Sequence, residues 1–212
     1  MQTSIKLLFL AAGITAPLTA MAAITVTQST ATNASQTYFT ASATDLVNQG
    51  QSTFDSQWVD GYTPYAGSNT AALNNGVVGV VDTTTDCALD LDGTWTSIFH
   101  LNTATNSAGY QISQIVTLAA WADQRINQVY NVSYSTVTSN SDNDNSTGFT
   151  LLTLTPQEYQ PSGGIGGASR ITLDITGLAG VNAIRFDIAP PLEYLWQHLP
   201  GDRHFRQRRP GA

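Results

Sequence analysis

The chain has 212 residues, of which 11% are charged, and its formal net charge is −7. That charge excludes sequence-independent nucleic-acid binding, which needs a surface rich in Lys and Arg. The single cysteine, Cys87, excludes an internal disulfide framework and a Cys-based zinc cage. With 42% hydrophobic residues, this composition favours a β-rich fold with Thr-covered faces over a helical bundle, whose exposed faces need Glu and Lys.

Residues 1–22 have the pattern of a secretory signal peptide. Lys6 supplies the positive charge, an apolar run follows, and Ala20 and Ala22 form a small-x-small cleavage site. Polar residues and a proline interrupt the apolar run short of the roughly 20 residues that span a membrane. The sequence therefore predicts an exported protein, extracellular or at the cell surface, whose mature chain has no transmembrane segment.

Apolar residues alternate with polar ones along the body of the chain, residues 23–189, which indicates strands. The predicted strands span residues 23–27, 38–41, 77–81, 95–101, 112–121, 129–137, 149–155, 171–175 and 181–188. Turns rich in Gly and Asn separate them, among them residues 140–148 and 177–180. About eight to nine short antiparallel strands at this spacing predict an all-β domain, a single β-sandwich of jelly-roll type.

The segment from residue 190 to residue 212 differs in composition from the body. Half of the eight Lys and Arg residues lie in its last ten positions. Three interpretations compete: a solvated basic tail, an anion-binding arm, or a foreign segment produced by a reading-frame error. The third is favoured, because codons can be chosen for residues 196–212 such that a shift by one base gives an alternating strand and the start of a Pro-Glu-Pro motif. We therefore expect residues 190–212 to form a disordered tail outside the domain.

The order of several segments resembles that of secreted bacterial galactose-binding-like, or discoidin-like, proteins that end in a Pro-Glu-Pro sorting signal of the PEP-CTERM type. The similar segments are residues 71–76, 98–102, 109–115, 121–135 and 181–186. The resemblance implies a galactose-binding-like β-sandwich at a bacterial surface or in extracellular matrix, with glycan binding as its role. The chain departs from that pattern at its end, where the last strand and the sorting signal are absent as written.

One candidate ligand platform is the densest group of polar and aromatic residues, formed by Trp121, Asp123, Arg125 and Gln128. As a functional site, it would offer an aromatic face to a sugar ring and polar side chains to its hydroxyl groups. As a structural feature, Asp123 and Arg125 project from one face of a strand, where an ion pair with another element is possible. Farther along, Arg185 and Asp187 lie on the opposite face of their strand from Ile184, Phe186 and Ile188.

A structural calcium is the one cofactor that the sequence raises. Oxygen ligands for calcium are offered by a group of aspartates, Asp82, Asp86, Asp90 and Asp92. The galactose-binding-like resemblance implies a calcium near this turn, to which Asn74 and Asn75 could add carbonyl oxygens. The alternative is a solvated acidic loop.

No catalytic pattern occurs in the body of the sequence. Its one histidine, His100, alternates within an apolar strand, which favours a core or edge residue over a general base. No Gly-x-Ser-x-Gly, His-Glu-x-x-His or phosphate loop is present. The sequence therefore predicts a non-enzymatic protein, and the resemblance together with export implies an extracellular glycan or exopolysaccharide as its partner. A structural surface or matrix protein without a small ligand is the main alternative, and a glycoside-active enzyme is a more distant one.

Overall fold

The computed structural model of the chain describes residues 23–31, 39, 42, 44–76, 88, 94–121, 128–152, 157–159 and 167–189. These residues form eight strands and one short 3-10 turn at Thr70–Leu73, so the all-β class is confirmed. No helix in this part of the chain is long and apolar enough to cross a membrane. The predicted signal peptide, the basic tail and Cys87 lie outside the described residues.

The eight strands are Ala23–Ala31 (β1), Phe54–Asp60 (β2), Trp95–Leu101 (β3), Tyr110–Trp121 (β4), Gln128–Thr136 (β5), Thr150–Leu151 (β6), Gln157–Tyr159 (β7) and Gly167–Ile188 (β8). Every pairing among them is antiparallel. The alternation of apolar residues predicts β1, β3, β4 and β5 correctly. It misses β2 and β7. The predicted strand at residues 77–81 lies outside the described residues, and Phe39, the one described residue of 38–41, is in no strand.

The long strand β8 is the axis of the sheet. Residues 167–176 of β8 have β1 on one edge and β4 on the other. Residues 183–188 have β3 on one edge and β5 on the other. Outside these, β2 pairs with β3, and the short β6 and β7 pair with β5. The sheet therefore has a first half built on the start of β8 and a second half built on its end.

The prediction of two strands separated by a turn at residues 177–180 is wrong, because β8 runs through this region without a break. Gly177 and Gly180 take left-handed backbone angles inside the strand, with φ of 86° and 73°. The pairing of β4 with β8 shifts register opposite these glycines, and the pairing of β5 shifts next to them. Extra residues of this kind bend a strand without ending it, and glycine accepts the required angles.

The bend turns the two halves of the sheet toward each other, as in a β-sandwich. Tyr130 of β5 and Thr117 of β4 join the halves through a hydrogen bond of 2.6 Å between their hydroxyl oxygens. Phe186 makes edge-to-face contacts with Phe99 and Tyr130. The buried core draws on both halves: Leu101, Tyr110, Ile112, Ile115, Tyr130, Val132, Leu152, Ile171, Leu173, Ile175, Leu178, Val181 and Ile184.

Candidate ligand-binding face

The second half of the sheet has an inner face on the core and an outer face on the other side. Residues directly opposite each other on neighbouring strands point to the same face. Three rows of such residues cross the outer face from β2 through β3 and β8 to β5. In that strand order they are Ser56, His100, Ala183 and Ser135 in the first row, Trp58, Ile98, Arg185 and Ser133 in the second, and Asp60, Thr96, Asp187 and Asn131 in the third.

A loop, residues 137–149, contacts His100 of the first row. His100 is 4% exposed, and its Nδ1 and Nε2 lie 2.9 and 2.7 Å from the Oδ1 atoms of Asn143 and Asn145. The position of His100 in an apolar strand predicts this burial. Both ring nitrogens hold the loop in place, so within the described residues His100 has the contacts of a structural residue.

Asn182 anchors the same loop from below. Thr136 pairs with Val181 and Ser135 pairs with Ala183, so Asn182 is the extra residue of a bulge in β8. Its Oδ1 accepts a hydrogen bond of 2.7 Å from the Ser135 hydroxyl, and its Nδ2 donates one of 2.7 Å to the Asn140 carbonyl. Asn182 is 1% exposed, so the bulge uses a buried amide to tie the loop to the sheet.

The tip of the loop is organised by Asp144. Its carboxylate accepts hydrogen bonds from the Thr147 hydroxyl and from the backbone amides of Thr147 and Ser146. These bonds, the Thr147 hydroxyl first, lower the pKa of Asp144 to about 2. The prediction of a polar turn at residues 140–148 is confirmed, and Gly148 takes the left-handed φ of 75° that closes it.

The second and third rows carry a network of charged and polar groups. Arg185 donates from Nε and Nη2 to Oδ1 of Asp187 over 2.9 and 2.7 Å, and from Nε to Oδ2 over 3.1 Å. The Thr96 hydroxyl donates to the same Oδ1 over 2.8 Å. The Arg185 and Asp187 side chains are 30% and 36% exposed. An ion pair this exposed contributes only about 0–1 kcal/mol to stability, so its main structural effect is to fix the orientation of both groups.

Aromatic side chains flank this network. The Phe149 ring lies 5.9 Å from the Arg185 guanidinium carbon, at the end of the loop. On the other side, half-buried Trp58 lies opposite Ile98, the fully buried residue between it and Arg185. The face therefore combines aromatic edges with an oriented carboxylate beside a guanidinium. Since Asp187 Oδ1 takes three of the four recorded bonds, Oδ2 keeps acceptor capacity for a hydroxyl group of a ligand.

The candidate platform proposed from the sequence is described only at its ends. Trp121 closes β4, where its backbone pairs with Gly167, and Asp123 and Arg125 lie outside the described residues. Gln128 is 8% exposed, and its Nε2 donates to the carbonyl and hydroxyl oxygens of Ser169. The amide of Gln128 thus joins β5 to β8.

The four aspartates proposed for calcium, Asp82, Asp86, Asp90 and Asp92, also lie outside the described residues. Asn74 is one of the two residues proposed to supply carbonyl oxygens to calcium. It is 2% exposed, and both its Oδ1 and its backbone oxygen accept hydrogen bonds from Gln49. Where the structure describes the chain, no three His, Cys, Asp or Glu side chains are grouped as around a metal ion.

The composition of the outer face could be predicted only in part from the sequence. Alternation predicts that Arg185 and Asp187 share one face of their strand, which is confirmed, and the structure adds that the two side chains contact each other. Their neighbours Thr96 and Trp58 come from distant strands, so only the pairing register reveals them. Comparison of the chain with protein-family models, curated proteins and solved structures gave no match.

Proposed function

We propose that this protein is an exported, non-enzymatic β-sandwich, of jelly-roll and galactose-binding-like type, that binds a glycan at the cell surface or in extracellular matrix. The observation that supports a glycan is the oriented Arg185–Asp187–Thr96 network, about one-third exposed at its ion pair and flanked by Phe149 and Trp58. Sugars present paired hydroxyl groups beside apolar ring faces. Such a ligand binds best to polar side chains that are already held in place next to an aromatic surface, because these side chains then lose little conformational entropy on binding.

Export is supported by the signal-peptide pattern of residues 1–22, and a body without lysine fits a solvated, Thr-rich exterior. The absence of enzymatic activity is proposed because the body sequence has no nucleophile or metal motif, and because the contacts of buried His100 are those of a structural residue. The described part of the chain thus has a candidate binding face, and the body sequence carries no recognisable catalytic motif.

The test is a glycan array probed with the full chain, followed by titration of any bound glycan against two variants. Asp187→Asn removes the charge of the oriented carboxylate, so affinity should fall about tenfold, as expected for the loss of a charge-assisted hydrogen bond. Asp174→Asn is the matched control, since Asp174 is an exposed aspartate of the same strand that also accepts a side-chain hydrogen bond, from Gln114 over 2.7 Å. It should leave affinity unchanged.

The outcomes separate the possible sites. If Trp121→Ala abolishes binding and Asp187→Asn does not, the site is the platform proposed from the sequence. If the folded wild-type chain binds no glycan on the array, the glycan-binding proposal is wrong.

A structural surface or matrix protein without a ligand is the second candidate. It is favoured by the composition of β1 and β4, which contain no charged residue, whereas β2 contains Asp55 and Asp60. Among the described strands, β1 and β4 pair with β8 alone. Since charges on outer strands oppose pairing between chains, uncharged ones fit an assembling protein. Concentration-dependent growth in particle size without glycan binding would support this candidate.

A further inference from the structure

The third row of the outer face is polar across four adjacent strands. Asp60 of β2 lies opposite Thr96 of β3, which lies opposite Asp187 of β8, which lies opposite Asn131 of β5. Asp60 is exposed, and the other three side chains are partly exposed. The middle two are joined by the hydrogen bond from Thr96 to Asp187. The row is therefore a line of hydrogen-bonding groups that runs perpendicular to the strands.

The spacing of the row is set by the sheet. Neighbouring strands lie about 4.8 Å apart, so four strands place the outer members of the row about 14 Å from each other. One strand spacing is close to the repeat of a linear pyranose chain. A polysaccharide lying across the strands would present successive sugars to successive members of the row.

The charge around the row limits the kind of polysaccharide. Residues 24–192 carry three Arg and thirteen Asp or Glu, a net charge of −10 without any lysine. On the outer face itself, the positive charge of Arg185 is already paired with Asp187, which leaves the Asp60 carboxylate uncompensated by any described contact. A polymer of uronic acids or sulfated sugars would meet repulsion both at the face and at long range.

We propose that the third row binds a linear polysaccharide without acidic groups, laid across the strands with one sugar over each of about four strands. This inference rests on the proposed glycan-binding function and adds the length, direction and charge class of the ligand. Asp60 and Asn131 bind the two ends of the bound segment, and Asp187 with Thr96 binds its middle.

The experiment titrates the full chain with gluco-, chito- and chitosan oligosaccharides of one to six sugars, and with alginate oligosaccharides as the acidic series. Affinity for at least one series without acidic groups should rise with length up to about four sugars and then level off. Alginate of equal length should bind more weakly. Asp60→Asn and Asn131→Ala should each lower affinity for the tetramer by about threefold to tenfold, as for one lost hydrogen bond, but not for the monomer.

Asp55→Asn is the matched control, because Asp55 lies in β2 at the register shift between Phe54 and Ser56 and is not part of the row. It should change neither affinity. Binding that depends on Asp187 but is equal for monomer and tetramer, or is strongest for alginate, would overturn the row while leaving the glycan-binding function standing. Absence of binding to every series, by a chain shown to be folded, would overturn the row, and absence of binding on the glycan array as well would overturn the glycan-binding function.

Discussion

Because Asn182 anchors the 137–149 loop, we expect Asn182→Ala to lower the free energy of unfolding by a large amount. Asn182 is 1% exposed and bonds to two groups that are themselves buried, the Ser135 hydroxyl and the Asn140 carbonyl. Alanine removes both bonds. The Ser135 hydroxyl then has no other hydrogen bond among the described residues, whereas the Asn140 carbonyl keeps the one that it accepts from the Asn143 amide. The substitution therefore leaves one buried donor unpaired and removes one of two hydrogen bonds to a buried acceptor.

The size of the effect follows from these two groups. Leaving the buried Ser135 donor without its hydrogen bond costs about 1–3 kcal/mol, and losing one of two bonds to the Asn140 carbonyl costs about 0.5–1.5 kcal/mol, so together they cost about 1.5–4.5 kcal/mol. A domain of this kind is stable by about 5–15 kcal/mol in total. For chains of 150–250 residues, each kcal/mol lowers Tm by about 2–4 °C. A loss near the middle of the range, about 3 kcal/mol, predicts a Tm lower by about 6–12 °C.

The assay is urea unfolding of the wild type, Asn182→Ala, Ser135→Ala and the double variant. In the double variant the Ser135 donor no longer exists, so its cost should be smaller than the sum of the single costs by about 0.5–3 kcal/mol. Hydrogen exchange should show faster exchange of the Asp144 amide, which donates to the Asn140 side chain, in Asn182→Ala. Loss of less than 1 kcal/mol in Asn182→Ala, or additive costs in the double variant, would refute the reasoning.

Three further predictions concern backbone angles and titration. Gly177→Ala should cost about 1–2 kcal/mol from its left-handed backbone alone, and Gly109→Ala more, because its Cβ would also collide with the Gly180 carbonyl; equal costs in urea unfolding would contradict this. Because the pKa of Asp144 is lowered to about 2, the stability that its carboxylate adds to the folded state is present above pH 3.8 and is lost as pH falls through 2. The NMR chemical shifts of the Ser146 and Thr147 amides should change over the same pH range, and the change should be absent in Asp144→Asn. Burial raises the pKa of Tyr130 to about 12, although the Thr117 hydrogen bond acts in the opposite direction. The stability linked to its protonated hydroxyl is therefore fully present below pH 10 and is lost as pH rises through 12. Phenolate absorbance should show one late-titrating tyrosine that disappears in Tyr130→Phe, and a normal titration of all tyrosines would contradict the assignment.

Strands with uninterrupted alternation were predictable from local sequence. In β3 and β5 each residue's face is set by the period of two. Burial follows it at Val132, which is fully buried, and at Asn131, which is not, whereas β3 is buried on both faces, so Ile98 and His100 of its outer face are buried as well. The alternation fails in β2, because the register shift between Phe54 and Ser56 inserts an extra residue and moves later side chains to the other face. Because a bulge is stabilised by the partner strand, the sequence of β2 alone does not predict it.

The same limit explains the error at Gly177 and Gly180. Their left-handed angles are typical of turns, and local sequence favours a turn there. In the folded protein, β4 pairs along this segment, and the hydrogen bonds of a neighbouring strand keep it extended through the bulges. Whether a glycine pair ends a strand or bends it depends on what lies beside it.

The sequence by itself determined the all-β class, the faces of Arg185 and Asp187, and the polar turn at residues 140–148, because each depends on residues close together in the chain. Only the tertiary structure decided that β8 carries both halves of the sheet and that Thr96, Asp187 and Asn131 stand in one row. These contacts join residues separated by up to 91 positions. Pairing register is a long-range property, fixed when the whole sheet buries its core, and so the candidate binding face exists only in the folded chain.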